Sequence, residues 1–151
     1  MKKKTYEPTE VYKAVDVAKD LISRLHSKGE HVDQWKVQKL LYYAQMWHLY
    51  FFEQPIFEDA LKAYKYGPVA PNVRERFKKN KDKPIEEKFK GKIDSLFLDY
   101  IVNYYGGILS KKLVDMTHEE NPWDDAWKAK KAGGSDEMSL HSMLEYADDG
   151  F

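Results

Sequence analysis

The sequence predicts a mainly α, compact single-domain helical fold with a small β-hairpin or short antiparallel β element. Three observations lead there. The chain has 151 residues, enough for one core and too few for two comfortable ones. Apolar residues recur at helical spacing along most of it. Residues 60–66 alternate weakly and run into a junction with two prolines, Lys65-Tyr66-Gly67-Pro68-Val69-Ala70-Pro71, where a strand should end and a helix begin.

Lys plus Arg number 25 and Asp plus Glu 25, so net charge argues for neither nucleic acid nor a membrane surface as partner. The absence of cysteine excludes disulfides and thiolate metal sites and fits a reducing cytoplasm. The basic start, Met1-Lys2-Lys3-Lys4, lacks the apolar core of a signal peptide and is expected to stay in the mature protein. Residues 40–52, the most apolar run, are broken by Gln45 and His48 and fall short of the ~20 residues that span a bilayer.

Residues 1–8 read as a basic extension, 9–147 as the helical domain and 148–151 as an acidic tail. Thr9 is placed to cap a first helix whose apolar face holds Val11, Ala14, Val15, Ala18, Leu21, Ile22 and Leu25, with Gly29 as its stop. Asp33 should cap the next helix, from Gln34 to about Phe52. At about 100° per residue, Val37, Leu40, Ala44, Trp47 and Phe51 form one stripe, and Trp35, Tyr42, Met46 and Leu49 a second, nearly opposite. A helix apolar on two sides must be packed on two sides. Gln34, Gln38, Gln45 and His48 form a neutral polar wedge between the stripes, either hydrogen-bonded internally or facing a partner. Lys36, Lys39, Tyr43 and Tyr50 take the remaining face.

The strand over residues 60–66 needs a mate, either near residues 56–58 or near 135–138. At the junction, Gly67 and Ala70 precede prolines and should be extended or turn-like, and Pro71 suits a first helical turn. The resulting rigid elbow is expected to hold Lys65, Tyr66 and Val69 at the surface. A short helix should run from Pro71 to about Lys79, followed by a solvated loop over residues 78–92. Ser95 to about Tyr105 reads as a helix stopped by Gly106-Gly107, and Ser110 as the cap of another. Thr117-His118-Glu119-Glu120-Asn121-Pro122-Trp123 is a second proline-marked junction, after which Asp124, Ala126 and Trp127 start the next helix. Ser139 caps the last helix, in which Leu140, Met143, Leu144 and Tyr146 are available for docking.

Catalytic motifs are scarce. His118-Glu119 opens like a zinc-protease helix, but the second histidine would fall at position 122, which is Pro122. No nucleophile elbow, P-loop or dinucleotide fingerprint is present. Glu119 and Glu120 most simply face the positive end of the following helix. The lysines of residues 78–92 are the one candidate nucleic-acid stretch, with only Phe89 for stacking.

Three separated motifs, Lys36-Val37-Gln38-Lys39-Leu40-Leu41-Tyr42-Tyr43-Ala44-Gln45, Ala63-Tyr64-Lys65-Tyr66-Gly67-Pro68-Val69-Ala70-Pro71-Asn72-Val73 and the 117–123 junction, resemble the Panacea, or SocA-like, antitoxin domain. The resemblance spans residues 11–146. It departs from the family pattern at Tyr64, Met46 and Tyr146-Ala147. This phage-associated or mobile-element family implies a compact helical domain acting in the cytoplasm by direct binding to a toxin encoded beside it. It implies no cofactor and, in some members, delivery of the toxin to a protease. The two junctions and the resemblance together single out Lys65, Tyr66, Pro68, His118 and Trp123 as partner-binding, with Gln34, Gln38, Gln45 and His48 as a possible second surface. A metal- or acid/base-dependent hydrolase using His118 and Glu119, and nucleic-acid binding through residues 78–92, are the alternatives.

Overall fold

A computed structural model describes residues 10–86, 88, 89, 93 and 95–150. Its elements, in chain order, are α1 (Ala14–Ser27), α2 (Gln34–Phe52), β1 (Leu61–Tyr64), β2 (Gly67–Val69), α3 (Pro71–Lys79), α4 (Ser95–Tyr105), α5 (Ser110–His118), α6 (Asn121–Lys131), β3 (Glu137–Met138) and α7 (Leu140–Asp149). The mainly α class with a small antiparallel sheet is as the sequence predicts.

Helix α2 is the axis of the molecule. Asp33 caps it as expected, its Oδ1 accepting from the Lys36 amide at 2.8 Å. Helices α1, α4, α5 and α7 and strand β2 all pack on α2, so it is covered on both sides. The face assigned to Lys36, Lys39, Tyr43 and Tyr50 is buried as well, so every residue from Lys36 to Met46 is inside. Each buried lysine has an acceptor. Lys36 Nζ donates to the Gly106 carbonyl at 2.7 Å, where α4 ends and its unpaired carbonyls favour a cation. Leu40 and Leu41 of α2, with Leu21, Leu25, Phe57, Phe77, Leu98 and Ile101 around it, complete the core. Each such side chain contributes ~1.5–3 kcal/mol, the favourable background against which two buried lysines are tolerated.

The first helix starts later than its apolar spacing indicates. Tyr12 instead forms a parallel bridge with Phe57, and Asp59 Oδ1 accepts from the Ala14 amide at 2.8 Å, supplying the missing cap from across the fold. Val11 is therefore exposed. Thr9 lies outside the described residues.

The sheet order is β2-β1-β3, both pairings antiparallel. Of the two candidate mates for the first strand, the 135–138 segment is one, with Leu61 opposite Met138, whereas residues 56–58 pair with Tyr12. The other mate was not foreseen. The Gly67-Pro68-Val69 part of the elbow folds back on β1, Tyr64 opposite Gly67 and Lys62 opposite Val69, leaving a two-residue turn at Lys65-Tyr66. Pro68 is compatible with this edge strand because an edge position needs no amide donor. Ala70 is extended and Pro71 opens α3, as the proline spacing requires.

Ser139 caps α7 through the Ser142 amide at 2.9 Å. Met143 and Ala147 are its buried residues, while Leu140 is exposed. Helix α7 continues through Asp148 and Asp149. Among the described residues no helix is long and apolar enough to cross a membrane.

Candidate protein interface

A groove of about 540 Å³ opens between the hairpin turn, the start of α2 and one face of α5. Trp35, Tyr66 and Val114 supply its apolar walls, with Ser110, Lys111, Asp115 and His118 around them. Asp33 sets its width. Besides capping α2, its carboxylate accepts from Ser110 Oγ at 2.8 and 3.0 Å, tying the first turns of α2 and α5 together. Tyr66 stands edge-on to Trp35, ring centroids 5.4 Å apart at 80°, and is half exposed.

The turn carrying Tyr66 is braced from beneath. Lys39 Nζ donates to the Pro68 carbonyl at 3.1 Å and lies 5.6 Å from the Trp35 ring centroid. Gly67 has φ +110, and a Cβ there would come within 2.7 Å of both Lys39 Cε and Thr117 Oγ1. Only glycine fits. Lys39 is fully buried, and burial pulls its ammonium down to about 7, partly opposed by Asp33.

The far wall is set by the second junction. His118 stacks on Trp123 at 4.2 Å and Trp123 on Trp127 at 5.4 Å. Trp123 Nε1 donates to the Tyr64 carbonyl at 2.8 Å, fastening α6 to the hairpin. Glu120 is buried, its two oxygens accepting from the Tyr42 and Tyr43 hydroxyls at 2.8 Å each. Burial raises its carboxyl to about 6 against the lowering effect of both phenols, and Glu119 adds a little. The same burial drives the Tyr42 and Tyr43 hydroxyls well above the ordinary phenol range. Glu120 therefore anchors the start of α6 to α2 instead of facing the helix dipole. Glu119 points to solvent, so the two neighbours do not form a working carboxylate pair.

With this geometry in place, the family comparison is decisive. The model of the antitoxin SocA-like, Panacea domain matches residues 37–124, more than half of the chain. The chain belongs to that family. The Panacea match takes in Lys39, the hairpin, Glu120 and Trp123, the parts that shape the groove from beneath and behind, and begins just after Trp35. No curated protein and no solved structure matches the chain.

The five residues singled out from sequence divide cleanly. Tyr66 and His118 line one groove, and Lys65 sits exposed at its rim with its ammonium 5.5 Å from the Tyr66 ring centroid. Pro68 and Trp123 are buried and belong to the scaffold, as does Val69, expected at the surface. The polar wedge is mostly internal. Gln38 Oε1 accepts from the Ala70 amide at 2.8 Å, and Gln45 Oε1 from the Ile56 amide at 2.9 Å while its Nε2 donates to the Phe57 carbonyl at 3.0 Å. His48 Nδ1 meets the Gln54 carbonyl at 2.7 Å. These three stitch loops to α2 and offer no partner surface. Gln34 alone is partly exposed, and its Nε2 donates to Asp82 at 3.2 Å.

Sequence reasoning missed Trp35, Lys111, Val114 and Asp115. The signal was present, because residues 111, 114, 115 and 118 share one face of a helix. Phe89, the one aromatic of the lysine-rich loop, is turned edge-on to Tyr12 at 5.9 Å and is not open for stacking. Residues 87 and 90–92 of that loop lie outside the described residues. Among the described residues no group of three or more His, Asp and Glu stands close enough to hold a metal ion.

Proposed function

We propose that this protein is a cytoplasmic antitoxin that neutralises a toxin, encoded by the neighbouring gene, by seating part of it in the groove between Tyr66 and His118. Family membership supports an antitoxin-like role. The observation that carries the choice of surface is Tyr66, a half-exposed ring on a two-residue turn that Lys39, Gly67 and Trp123 hold rigid. Exposed aromatics on rigid supports make interface anchors because little side-chain entropy is lost on binding. Lys65 and Lys111 add cations, and Asp115 an anion, around an apolar centre, the usual arrangement of an anchor pocket and its rim.

Co-expression with the neighbouring gene product is the direct test. The expected result is rescue of growth and a complex that survives purification, both lost in the Tyr66→Ala/His118→Ala double variant. A neighbour that is harmless alone, or toxic with no complex formed, removes the reading. Delivery of the bound toxin to a protease belongs to the same reading. Its mark is a shortened toxin half-life when this protein is present.

A further inference from the structure

Away from the groove, cations and aromatic rings alternate where β1, α3 and the last turn of α6 meet. The Arg74 guanidinium carbon lies 5.9 Å from the Tyr64 ring centroid, and Lys130 Nζ lies 5.5 Å from the same centroid. Lys130 Nζ is also 5.5 Å from the Trp127 ring, and Lys131 Nζ 5.4 Å. Rings so placed hold long cationic side chains in fixed positions and lower the entropy lost when those cations are engaged.

The cations outnumber their acidic partners. Asp136 serves both Lys62, at 3.6 Å, and Lys130, at 3.7 Å. Asp124 holds Lys128 at 2.9 Å. Arg74 and Lys131 form no ion pair with the described residues. In a chain whose charges balance, this is a local excess. The negative end of α6 accounts for cations in its own last turn, but not for Arg74 from α3 or Lys62 from β1.

We propose that this row is a contact surface for an acidic, Asp- and Glu-rich segment of a protein partner. Carboxylates take ammonium and guanidinium groups from the solvent side and leave the cation-ring contacts in place. Single-stranded nucleic acid fits less well, since bases need open ring faces. Here Tyr64 carries two cations, and Trp127 carries two ammoniums besides the stacked Trp123 ring. This inference does not rest on the groove reading, because groove residues and row residues are separately mutable.

The test titrates the full chain with poly-glutamate, poly-glutamine and a DNA duplex, following tryptophan fluorescence at low salt. Wild type binds poly-glutamate, salt weakens the binding, and poly-glutamine does not bind. The Arg74→Gln/Lys130→Gln/Lys131→Gln variant loses about tenfold in affinity, equivalent to about 1.4 kcal/mol. A Lys81→Gln/Lys83→Gln/Lys88→Gln control, which removes the same charge from the exposed loop, changes affinity by less than about twofold. Lys131→Gln alone, with its melting temperature checked, still loses about threefold. Undiminished binding by the row variants, an equal loss in the loop control, or tighter binding of duplex than of poly-glutamate at the same salt overturns the proposal.

Discussion

Lys39 on the central helix donates to the carbonyl of Pro68 at 3.1 Å, through a gap that stays open because residue 67 has no side chain. One buried cation thus supports the turn that presents Tyr66, and several consequences can be measured.

Gly67→Ala is expected to destabilise the protein by about 2–3 kcal/mol. The backbone at φ +110 disfavours any side chain, and the new methyl meets Lys39 and Thr117. Urea unfolding monitored by tryptophan fluorescence gives the number. A loss below about 0.5 kcal/mol means that the turn relaxes freely and is not braced.

Lys39 makes stability depend on pH in a predictable direction. Its folded value of about 7 lies below the ordinary 10.5, so between these limits the unfolded chain holds a proton that the folded one has shed. Stability therefore rises as pH goes from about 7 to 10.5, and the cost of a buried ammonium is fully present below 7. Lys39→Met abolishes this rise, because no titrating group remains at the site, and it leaves the Pro68 carbonyl without its donor, which offsets part of the stability regained by removing a buried ammonium. Paired denaturation curves across this range decide it.

Glu120 has the opposite slope. Its folded value of about 6 lies above the ordinary 4.5, so the folded state holds a proton that the unfolded state has lost, and stability falls as pH rises through that interval. The difference is about 2 kcal/mol, fully present below 4.5 and gone above about 6. Glu120→Gln flattens this interval. Glu120→Ala leaves two buried phenols unpaired and costs about 2–4 kcal/mol, more below pH 4.5 than above 6 because the proton-linked stability of the wild type is lost with it.

Tyr66 and Trp123, paired in the sequence reading, separate on mutation. Trp123→Ala empties a buried site and breaks the bond to the Tyr64 carbonyl, at about 3–5 kcal/mol. Tyr66→Ala changes stability by less than about 1 kcal/mol and, under the proposed function, abolishes capture of the neighbouring gene product. Thermal melts beside pull-downs of the two variants distinguish scaffold from surface.

Legibility from sequence followed how local each determinant is. Asp33 and Ser139 as caps, the limits of α2, α3 and α4, and the extended residues before Pro68 and Pro71 are set within a turn or two of chain, and all were readable. The start of α1 was not, because its cap, Asp59, lies 45 residues away. The second strand was hidden for a related reason: prolines and a glycine signal a turn, and only pairing with Tyr64 and Lys62 makes residues 67–69 a strand.

The candidate site divides in the same way. The sequence by itself determined that this is a mainly helical chain with two proline-marked junctions, an over-apolar second helix and the motifs of an antitoxin family. Tertiary structure alone decided which junction residues are surface. Periodicity reports the faces of a helix but not how many neighbours cover them, so Lys39 reads as lying on a face outside the apolar stripes and is buried. Tyr66 stays in solvent because the two-residue hairpin turns it away from the core that Pro68 and Val69 enter. His118 reaches the same groove because Asp33 ties α5 to the start of α2 and Trp123 fastens α6 to the hairpin.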